Sequence, residues 1–215
     1  MSQDSAGASY DGSPYVSHVY SESSPGRLVA VAELFGMEPR PEPVARCRVL
    51  ELGCAQGNNL IAMAVALPDA EFLGVDVSVR QLDAGRRRIQ QLGLENVRLE
   101  LQDFSRFPAD AGRYHYIIAH GIYSWISPAH RDAMLEVCRR HLEPNGVAYI
   151  SYNVLPGWYR RLPVRDALLY HLRNTSEPQA RIDRALELLE WLRSETVGLN
   201  PHYRVKFDSV WNGSQ

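Results

Sequence analysis

The sequence predicts an α/β fold built on a parallel β-sheet, and three observations support this prediction. Short apolar runs of strand length recur along residues 47–152. Longer segments with helical periodicity lie between these runs. The first apolar run ends in a glycine-containing loop that leads directly into a helix, which is the order found in a βαβ unit. At 215 residues the chain is long enough to bury one substantial core of this kind.

A tail, an arm and one helix precede the predicted core. Residues 1–14 are rich in Ser, Gly and Asp, and we predict that they form a disordered tail. Residues 15–46 are predicted to form an N-terminal helical arm with a cap helix near residues 25–36. One apolar face of this helix is expected to be buried, and it consists of Leu28, Val31, Ala32 and Phe35.

Residues 47–152 carry the predicted core, in which five strands alternate with three helices. The strands are expected at 48–52, 71–76, 97–102, 114–119 and 146–152. The helices are expected at 58–67, 79–92 and 128–142. The pair Asn145-Gly146 is predicted to turn the chain into the fifth strand. This alternation implies right-handed crossovers between parallel strands.

The remaining chain has a helical pattern. Residues 153–198 are predicted to form two helices, at about 163–173 and 178–197. Residues 199–215 are predicted to be a tail with one short strand at the sheet edge. No second added strand is visible, so the last strands of the sheet are expected to be incomplete. An uncovered edge invites pairing with another chain, and a homodimer therefore stays an open alternative.

Composition argues against several classes of protein. A formal net charge of −2 gives no general attraction to nucleic acid, so a nucleic-acid partner is not expected. No apolar run reaches the length of about 18 residues that a membrane helix needs, so no membrane contact and a cytoplasmic location are expected. Cys47, Cys54 and Cys138 are odd in number and lack CxxC spacing, which argues against disulfides and against a metal site.

The loop after the first strand indicates a nucleoside-containing ligand. Small residues from Gly53 to Gly57 let a ligand approach the backbone and the following helix N-terminus. The second strand ends in Asp76, and the carboxyl ends of parallel strands open onto one crevice, where an acid can accept hydrogen bonds from ribose hydroxyls. A dinucleotide fingerprint would need glycines at Ala55 and Asn58, so a nicotinamide dehydrogenase is disfavoured.

Four features in order resemble the class I S-adenosylmethionine (SAM) methyltransferases. They are the E-x-G-x-x-x-G pattern from Glu51 to Gly57, the acid Asp76, the pair Asp103-Phe104 after the third strand, and the fourth strand before His120. The resemblance covers about residues 47–152. It implies a Rossmann-like sheet of strand order 3-2-1-4-5, SAM as the cofactor and S-adenosyl-L-homocysteine as the product.

The same resemblance implies a set of cofactor contacts. The backbone around Gly53 and Ala55 would lie against the methionine part of SAM, and Asp76 would bind the ribose. Asp103 would accept a hydrogen bond from the adenine amino group while Phe104 packs on the ring. The alternative for both aspartates is an ordinary helix N-cap or turn. The implied cofactor-binding residues are Tyr15, Tyr20, Glu51, Gly53, Cys54, Ala55, Asp76, Val77, Gln81, Asp103, Phe104, Ala119 and His120.

The end of the fourth strand carries the candidate catalytic residues His120, Tyr123 and Trp125. His120 could take a proton from an amine or hydroxyl nucleophile, because its ordinary pKa lies near neutrality. The alternative is that His120 only hydrogen-bonds the cofactor or a backbone group. Tyr123 and Trp125 could form aromatic walls near a cation, with burial of Trp125 in the core as the alternative.

A narrower resemblance joins the phrases at residues 15–28, 51–55, 120–125 and 151–158. Together they look like the bacterial methyltransferases that carry a C-terminal methyltransferase regulatory domain, and the outer-membrane-protein lysine methyltransferases are similar here. Those proteins continue well beyond this point. The resemblance implies that Tyr15 and Tyr20 close over SAM, and that residues 153–198 form a substrate or lid segment over the active site.

The sequence therefore predicts a SAM-dependent methyltransferase. Its acceptor is a protein side chain, with lysine slightly favoured by the resemblance, or a small metabolite. The segment Tyr152-Asn153 lacks the Asn/Asp-Pro-Pro-Tyr signature of amino-methylating DNA enzymes, which weakens a nucleic-acid base as acceptor. A SAM-binding regulatory or scaffold protein without turnover is the alternative.

Overall fold

The computed structural model describes residues 17–38, 44–160 and 162–195. The predictions for the tail at 1–14, for Tyr15 and for residues 199–215 lie outside these described residues. The chain divides into two compact units between Tyr152 and Asn153. The first unit contains the sheet, and the second is helical in its described part.

The sheet has five strands in the described chain: β1 (Arg48–Leu52), β2 (Glu71–Asp76), β3 (Val97–Leu101), β4 (Tyr114–Ala119) and β5 (Leu142–Ile150). Their order is β3-β2-β1-β4-β5, and every neighbouring pair is parallel. This confirms the predicted Rossmann-like sheet. Because the order reverses between β1 and β4, the carboxyl ends of these two strands border the crevice where open α/β sheets bind ligands.

Four helices accompany these strands: α1 (Pro25–Leu34), α2 (Asn58–Ala66), α3 (Val79–Leu92) and α4 (Pro128–His141). Local sequence explains their ends. The Ser78 hydroxyl caps α3 by accepting a hydrogen bond from the backbone N–H of Gln81, and Gly93 ends α3 with a φ of 63°. Ser127 caps α4, and Pro128 occupies its first turn, where a missing N–H costs nothing.

Two apolar layers cover the two faces of the sheet. Val49 of β1 packs with Leu60 of α2 and Leu82 of α3. Leu50 of β1 packs on the other face with Met134 of α4. Alternate residues of a strand point to opposite faces, so Glu51 lies on the same face as Val49. The acid of the predicted binding motif is thereby placed in a buried layer, at 4% exposure.

The predicted buried face of α1 was partly wrong. Leu28 is buried as predicted, but its buried neighbour is Val29, whereas Val31 is 45% exposed and Phe35 is 83% exposed. Successive helical residues are about 100° apart, so Val31 lies on the far side of Leu28 from Val29. Phe35 follows the last residue of α1 and is its C-cap.

The predicted start of β5 was also wrong. The strand begins at Leu142, which pairs with Tyr114, and not at the predicted residue 146. The next pair is Tyr116 with Val147, so the register shifts between the two pairs. The Asn145-Gly146 segment is taken up in this irregularity, within the strand and not as a turn ahead of it.

The second unit contains α5 (Leu162–His171) and α6 (Pro178–Glu195). Arg181 fixes the connection between them, because its guanidinium donates hydrogen bonds to the carbonyl oxygens of Leu172 and Thr175 at 3.0 and 2.6 Å. Arg184 adds a 2.6 Å hydrogen bond to the Thr175 hydroxyl. Among the described helices, none combines the length and apolarity needed to cross a bilayer.

Candidate cofactor and active site

The loop between β1 and α2 is built from residues with left-handed backbone. Gly53, Ala55 and Gly57 have φ values of 70°, 51° and 67°. A Cβ at Gly53 would lie 2.7 Å from the Cγ2 atom of Ile122, so the loop after β4 packs directly against this loop. The loops that follow β1 and β4 are therefore in contact at the centre of the predicted site.

Asp76 holds this loop in place from the end of β2. Its Oδ2 accepts a 2.8 Å hydrogen bond from the backbone N–H of Ala55, and its Oδ1 accepts a 2.9 Å hydrogen bond from that of Ser78. Hydrogen bonds from an N–H to a carboxylate are among the stronger ones in proteins. Asp76 thus has a structural role besides the predicted ribose contact.

The loop directs its amide donors into the protein. Gly53 and Cys54 donate their N–H groups to the Val75 carbonyl at 2.9 and 3.1 Å, and Gly57 donates to the Cys54 carbonyl at 2.8 Å. A pyrophosphate needs amide donors that face the ligand. The inward amides of this loop therefore disfavour a dinucleotide.

Glu51 lies at the centre of a buried polar cluster. Its Oε1 accepts a 3.0 Å hydrogen bond from the side-chain amide of Asn59, which also donates to the Ser23 hydroxyl at 3.0 Å. The Asn59 amide oxygen accepts a 3.0 Å hydrogen bond from the backbone N–H of Tyr20. Burial raises the pKa of Glu51 from 4.5 to about 7, the Asn59 hydrogen bond lowers it, and the charge of Asp76 raises it.

Two buried side-chain oxygens have no hydrogen-bond partner within the described residues. They are Oε2 of Glu51 and Oε1 of Gln81, and both residues were predicted to bind the cofactor. An unpaired buried acceptor costs about 1–3 kcal/mol, so such atoms mark places where a ligand donor would be stabilising. An amino acid ammonium for Glu51 and an N–H group for Gln81 are donors that SAM carries. The residues present therefore fit this cofactor.

The other predicted cofactor residues have simpler surroundings. The Asp103 carboxylate accepts a 2.8 Å hydrogen bond from the backbone N–H of Ser105, so it caps the short turn at Phe104–Arg106. Phe104 packs against the layer that contains Met134. Val77 is half-buried beside Asp76, and Ala119 is fully buried at the end of β4. Their contacts with a cofactor stay predictions.

Cys54 faces the core. A Cβ at Gly74 would lie 2.7 Å from its sulfur, and burial raises its pKa well above the ordinary value of 9.0. A thiol that resists ionisation is a poor nucleophile. Cys54 can therefore meet a ligand only through its backbone.

His120 contacts two tyrosines. Its ring stacks on Tyr20 with centroids 3.6 Å apart and on Tyr149 with centroids 5.9 Å apart. The Tyr149 hydroxyl lies 3.4 Å from Nδ1 of His120. Burial lowers the pKa of His120, and the Glu22 carboxylate acts in the opposite direction.

Tyr123 has Arg131 and Tyr152 as neighbours, and Trp125 is exposed. The guanidinium of Arg131 lies 5.2 Å from the ring centroid of Tyr123, and its Nε donates a 2.9 Å hydrogen bond to the Tyr123 carbonyl. Tyr152 lies 5.8 Å from Tyr123, ring centroid to ring centroid. Trp125 is 61% exposed, which contradicts the alternative of a core residue. The guanidinium of Arg131 already covers one face of Tyr123. That face therefore cannot form the predicted aromatic wall beside a substrate cation.

A cavity lies at the opposite edge of the sheet, among the described residues. It has a volume of about 280 Å³ and is lined by the amino ends of β1 to β4. Arg48 there pairs with Glu71 at 3.5 Å and covers the Tyr114 ring at 5.0 Å. Asn96 donates its side-chain amide to three backbone carbonyls. Because these polar groups are occupied, the crevice at the carboxyl ends remains the candidate site. No cluster of three His, Cys, Asp or Glu suited to a metal is found in the described part of the chain.

Sequence reasoning missed several residues that build the site. Asn59 and Ser23 had no recognisable sequence signature, because these two hydrogen-bonded residues lie 36 positions apart along the chain. Tyr149 was hidden in the fifth strand. A Cβ at Gly85 of α3 would overlap the backbone carbonyl of Gln56, so this glycine lets α3 approach the loop. A glycine inside a predicted helix was the one available signal for such a close approach.

A parallel sheet of order 3-2-1-4-5, with Glu51 near the end of β1 and Asp76 at the end of β2 beside a glycine loop, is the arrangement of a Rossmann-like SAM-binding domain. The model of a methyltransferase domain family matches residues 49–146. The uncharacterized protein RP028 of Rickettsia prowazekii (strain Madrid E) is 35% identical over 184 residues, covering 86% of this chain and 73% of that protein. The uncharacterized protein RP789 of the same strain is 41% identical over 184 residues, covering 86% of this chain and 33% of that protein.

Among solved structures, PKMT2 from Rickettsia typhi in complex with AdoHcy is 30% identical with a TM-score of 0.77. The match covers 92% of this chain and 38% of PKMT2, so the chain spans well under half of PKMT2 and of RP789. Residues 49–146 therefore carry a methyltransferase domain of the class I SAM-dependent fold, whose cofactor is SAM.

Proposed function

We propose that this chain transfers the methyl group of SAM to the side-chain amine of a protein lysine. The similarity to PKMT2, a lysine methyltransferase homologue, supports lysine over a small metabolite. The single observation that carries the proposal is the Tyr20–His120–Tyr149 stack. In this stack the His120 imidazole contacts two aromatic rings at the carboxyl end of β4, and we assign it the role of the base. The contribution of residues 153–198 to substrate binding stays a prediction.

The stack has the chemistry that an amine acceptor requires. A lysine ammonium must lose a proton before its nitrogen has a lone pair. We assign this proton to the imidazole of His120, which burial disfavours in its charged form by lowering its pKa. Aromatic rings beside the base attract a cation, which favours an approaching ammonium over a neutral side chain.

The cofactor would be held by residues near the carboxyl ends of β1 and β2. Glu51 would accept from the amino acid ammonium through its unpaired Oε2, and Asp76 would accept from the ribose. SAM, when bound, supplies a methyl group on a positively charged sulfur, and its transfer to a nitrogen lone pair leaves AdoHcy. The protein's own task is to orient the two reactants, which can contribute on the order of 7–11 kcal/mol in favourable cases.

Calorimetric titration with SAM and, separately, with NADH tests the cofactor, and transfer of labelled methyl to poly-L-lysine tests the reaction. We expect micromolar SAM binding, no NADH response, and label that appears as methyllysine after acid hydrolysis. Poly-L-arginine is the control polymer. SAM binding with no label in poly-L-lysine or in a lysine-containing protein extract would favour the scaffold alternative.

His120→Ala is expected to lower kcat about 100-fold or more while the affinity for AdoHcy changes little, because a proton acceptor acts on the reaction and not on cofactor binding. Tyr149→Phe is the matched control, since it keeps the stacked ring and removes only the hydroxyl 3.4 Å from the imidazole. Steady-state kinetics and calorimetry measure the two quantities. A parallel loss of kcat and AdoHcy affinity in His120→Ala would make His120 a cofactor contact instead of a base.

A further inference from the structure

We propose that Asn59 is a positioning residue that joins the arm segment, residues 17–24, to the carboxylate of Glu51, so that the order of the segment and the orientation of this acid depend on one side chain. The part that concerns the cofactor rests on the proposed function, in which Glu51 accepts the ammonium of SAM. Asn59 is the second residue of α2 and is 2% exposed.

Three hydrogen bonds of the Asn59 side chain support this role. Its amide nitrogen uses both hydrogens, one for Oε1 of Glu51 and one for the Ser23 hydroxyl, each at 3.0 Å. Its amide oxygen accepts from the Tyr20 backbone N–H, also at 3.0 Å. An ordinary helix start would need only one such bond. Both amide hydrogens and the amide oxygen therefore bind groups from outside the helix of Asn59.

The arrangement leaves Glu51 with one defined open position. Because Asn59 occupies Oε1, the unpaired acceptor of this buried carboxylate is Oε2. Asn59 thus selects which oxygen meets a ligand. The same amide fixes Tyr20, whose ring stacks on His120 at 3.6 Å. One residue consequently connects the cofactor acid with the aromatic stack.

The arm segment has a second attachment that does not involve Glu51. The Asn58 side-chain amide donates a 2.8 Å hydrogen bond to the Ser17 carbonyl. Arg88 of α3 donates to the Asn58 side-chain oxygen. Asn58 and Asn59 are therefore adjacent residues of one type that both hold the segment, while only Asn59 reaches the acid. Asn58→Ala is the matched control variant.

The pH dependence of SAM affinity can report the hydrogen bond between Asn59 and Glu51, because Glu51 is ionisable. The titratable groups that act with Glu51 are Asp76 at the end of β2 and the Cys54 thiol in the loop, while Asn59 and Ser23 are neutral. Glu51 must be ionised to bind an ammonium, and its pKa is about 7. SAM affinity should therefore fall about tenfold for each pH unit below 7. Loss of the Asn59 hydrogen bond should move this acid limb upward by about one pH unit.

The experiment has one readout with cofactor and one without. SAM affinity is titrated from pH 5.5 to 7.5, and amide hydrogen exchange is followed over residues 17–24 in the ligand-free protein. Asn59→Ala should raise the midpoint of the acid limb and speed exchange at Tyr20. Asn58→Ala should leave the midpoint unchanged. Asn59→Asp is isosteric and keeps the acceptor for Tyr20, so it should raise the midpoint without the faster exchange at Tyr20.

The outcomes separate this inference from the proposed function. No SAM binding by the wild-type protein at any pH would overturn the proposed function. The exchange rate of the Tyr20 amide would still show whether Asn59 holds the arm segment. Wild-type binding with the same midpoint in Asn59→Ala and Asn59→Asp would overturn the inference and leave the proposed function standing. Should Asn59→Ala fail to fold, Asn59→Asp carries the midpoint measurement.

Discussion

Replacing Asp76 with alanine is expected to reduce SAM affinity at least about 100-fold and to lower the free energy of unfolding by about 2–4 kcal/mol. The carboxylate accepts the N–H groups of Ala55 and Ser78 at 2.8 and 2.9 Å. Without it the Ala55 amide loses its acceptor, while its residue stays at a φ of 51°. Release of this left-handed residue would move the loop from Gly53 to Gly57 that the cofactor meets.

Two further variants provide a milder substitution of Asp76 and a control for the change in charge. Asp76→Asn keeps one oxygen for either amide but sets an NH₂ group against the other, so an intermediate loss is expected. Asp69→Ala removes an exposed acid from the turn before β2 and controls for the change in net charge. Calorimetry with SAM and urea unfolding measure the two effects. Wild-type SAM affinity in Asp76→Ala would exclude Asp76 from the site, whatever happens to stability.

Most strand positions could be predicted because each strand is a short apolar run with polar or small residues at its ends. The bounds of β1, β2 and β4 agree with the prediction residue for residue, since burial on both faces leaves a continuous apolar signal. β5 was harder to predict. Its first residues, Leu142 to Gly146, include Pro144 and Asn145, which the sequence could only suggest as a turn. Pairing with Tyr114 decides the strand start, and that pairing is a tertiary contact.

The residues of the candidate site also differ in whether the sequence could predict them. Gly53, Gly57 and Asp76 could be predicted because loop geometry and strand ends leave a local pattern. The Asn59 cluster could not, since Tyr20 is 39 residues away from its partner and nothing local marks the pair. The stack of Tyr20 on His120 likewise depends on where the arm segment lies. Exposure of Trp125, at 61%, is also a consequence of packing that periodicity does not encode.

Glu51→Gln is expected to make the ligand-free protein more stable above pH 7 while weakening SAM binding. The pKa of Glu51 is raised from 4.5 to about 7, mainly by burial. The folded protein therefore holds a proton between these pH values that the unfolded chain has released. The stability linked to this proton is complete below about pH 4.5 and is lost as the pH rises through 7, which amounts to about 3 kcal/mol at pH 8.

Glutamine cannot ionise and has nearly the shape of the protonated acid, so it escapes this loss. The difference in unfolding free energy between Glu51→Gln and wild type should be small at pH 5 and should grow to about 3 kcal/mol in favour of the variant at pH 8. Urea unfolding across this range measures it, with Glu95→Gln, an exposed acid, as the control for removing one charge. A difference that stays constant from pH 5 to pH 8 would contradict a buried, ionisable Glu51. A rising difference together with weak SAM binding would mean that the protein retains a destabilising acid because the cofactor's ammonium needs its charge.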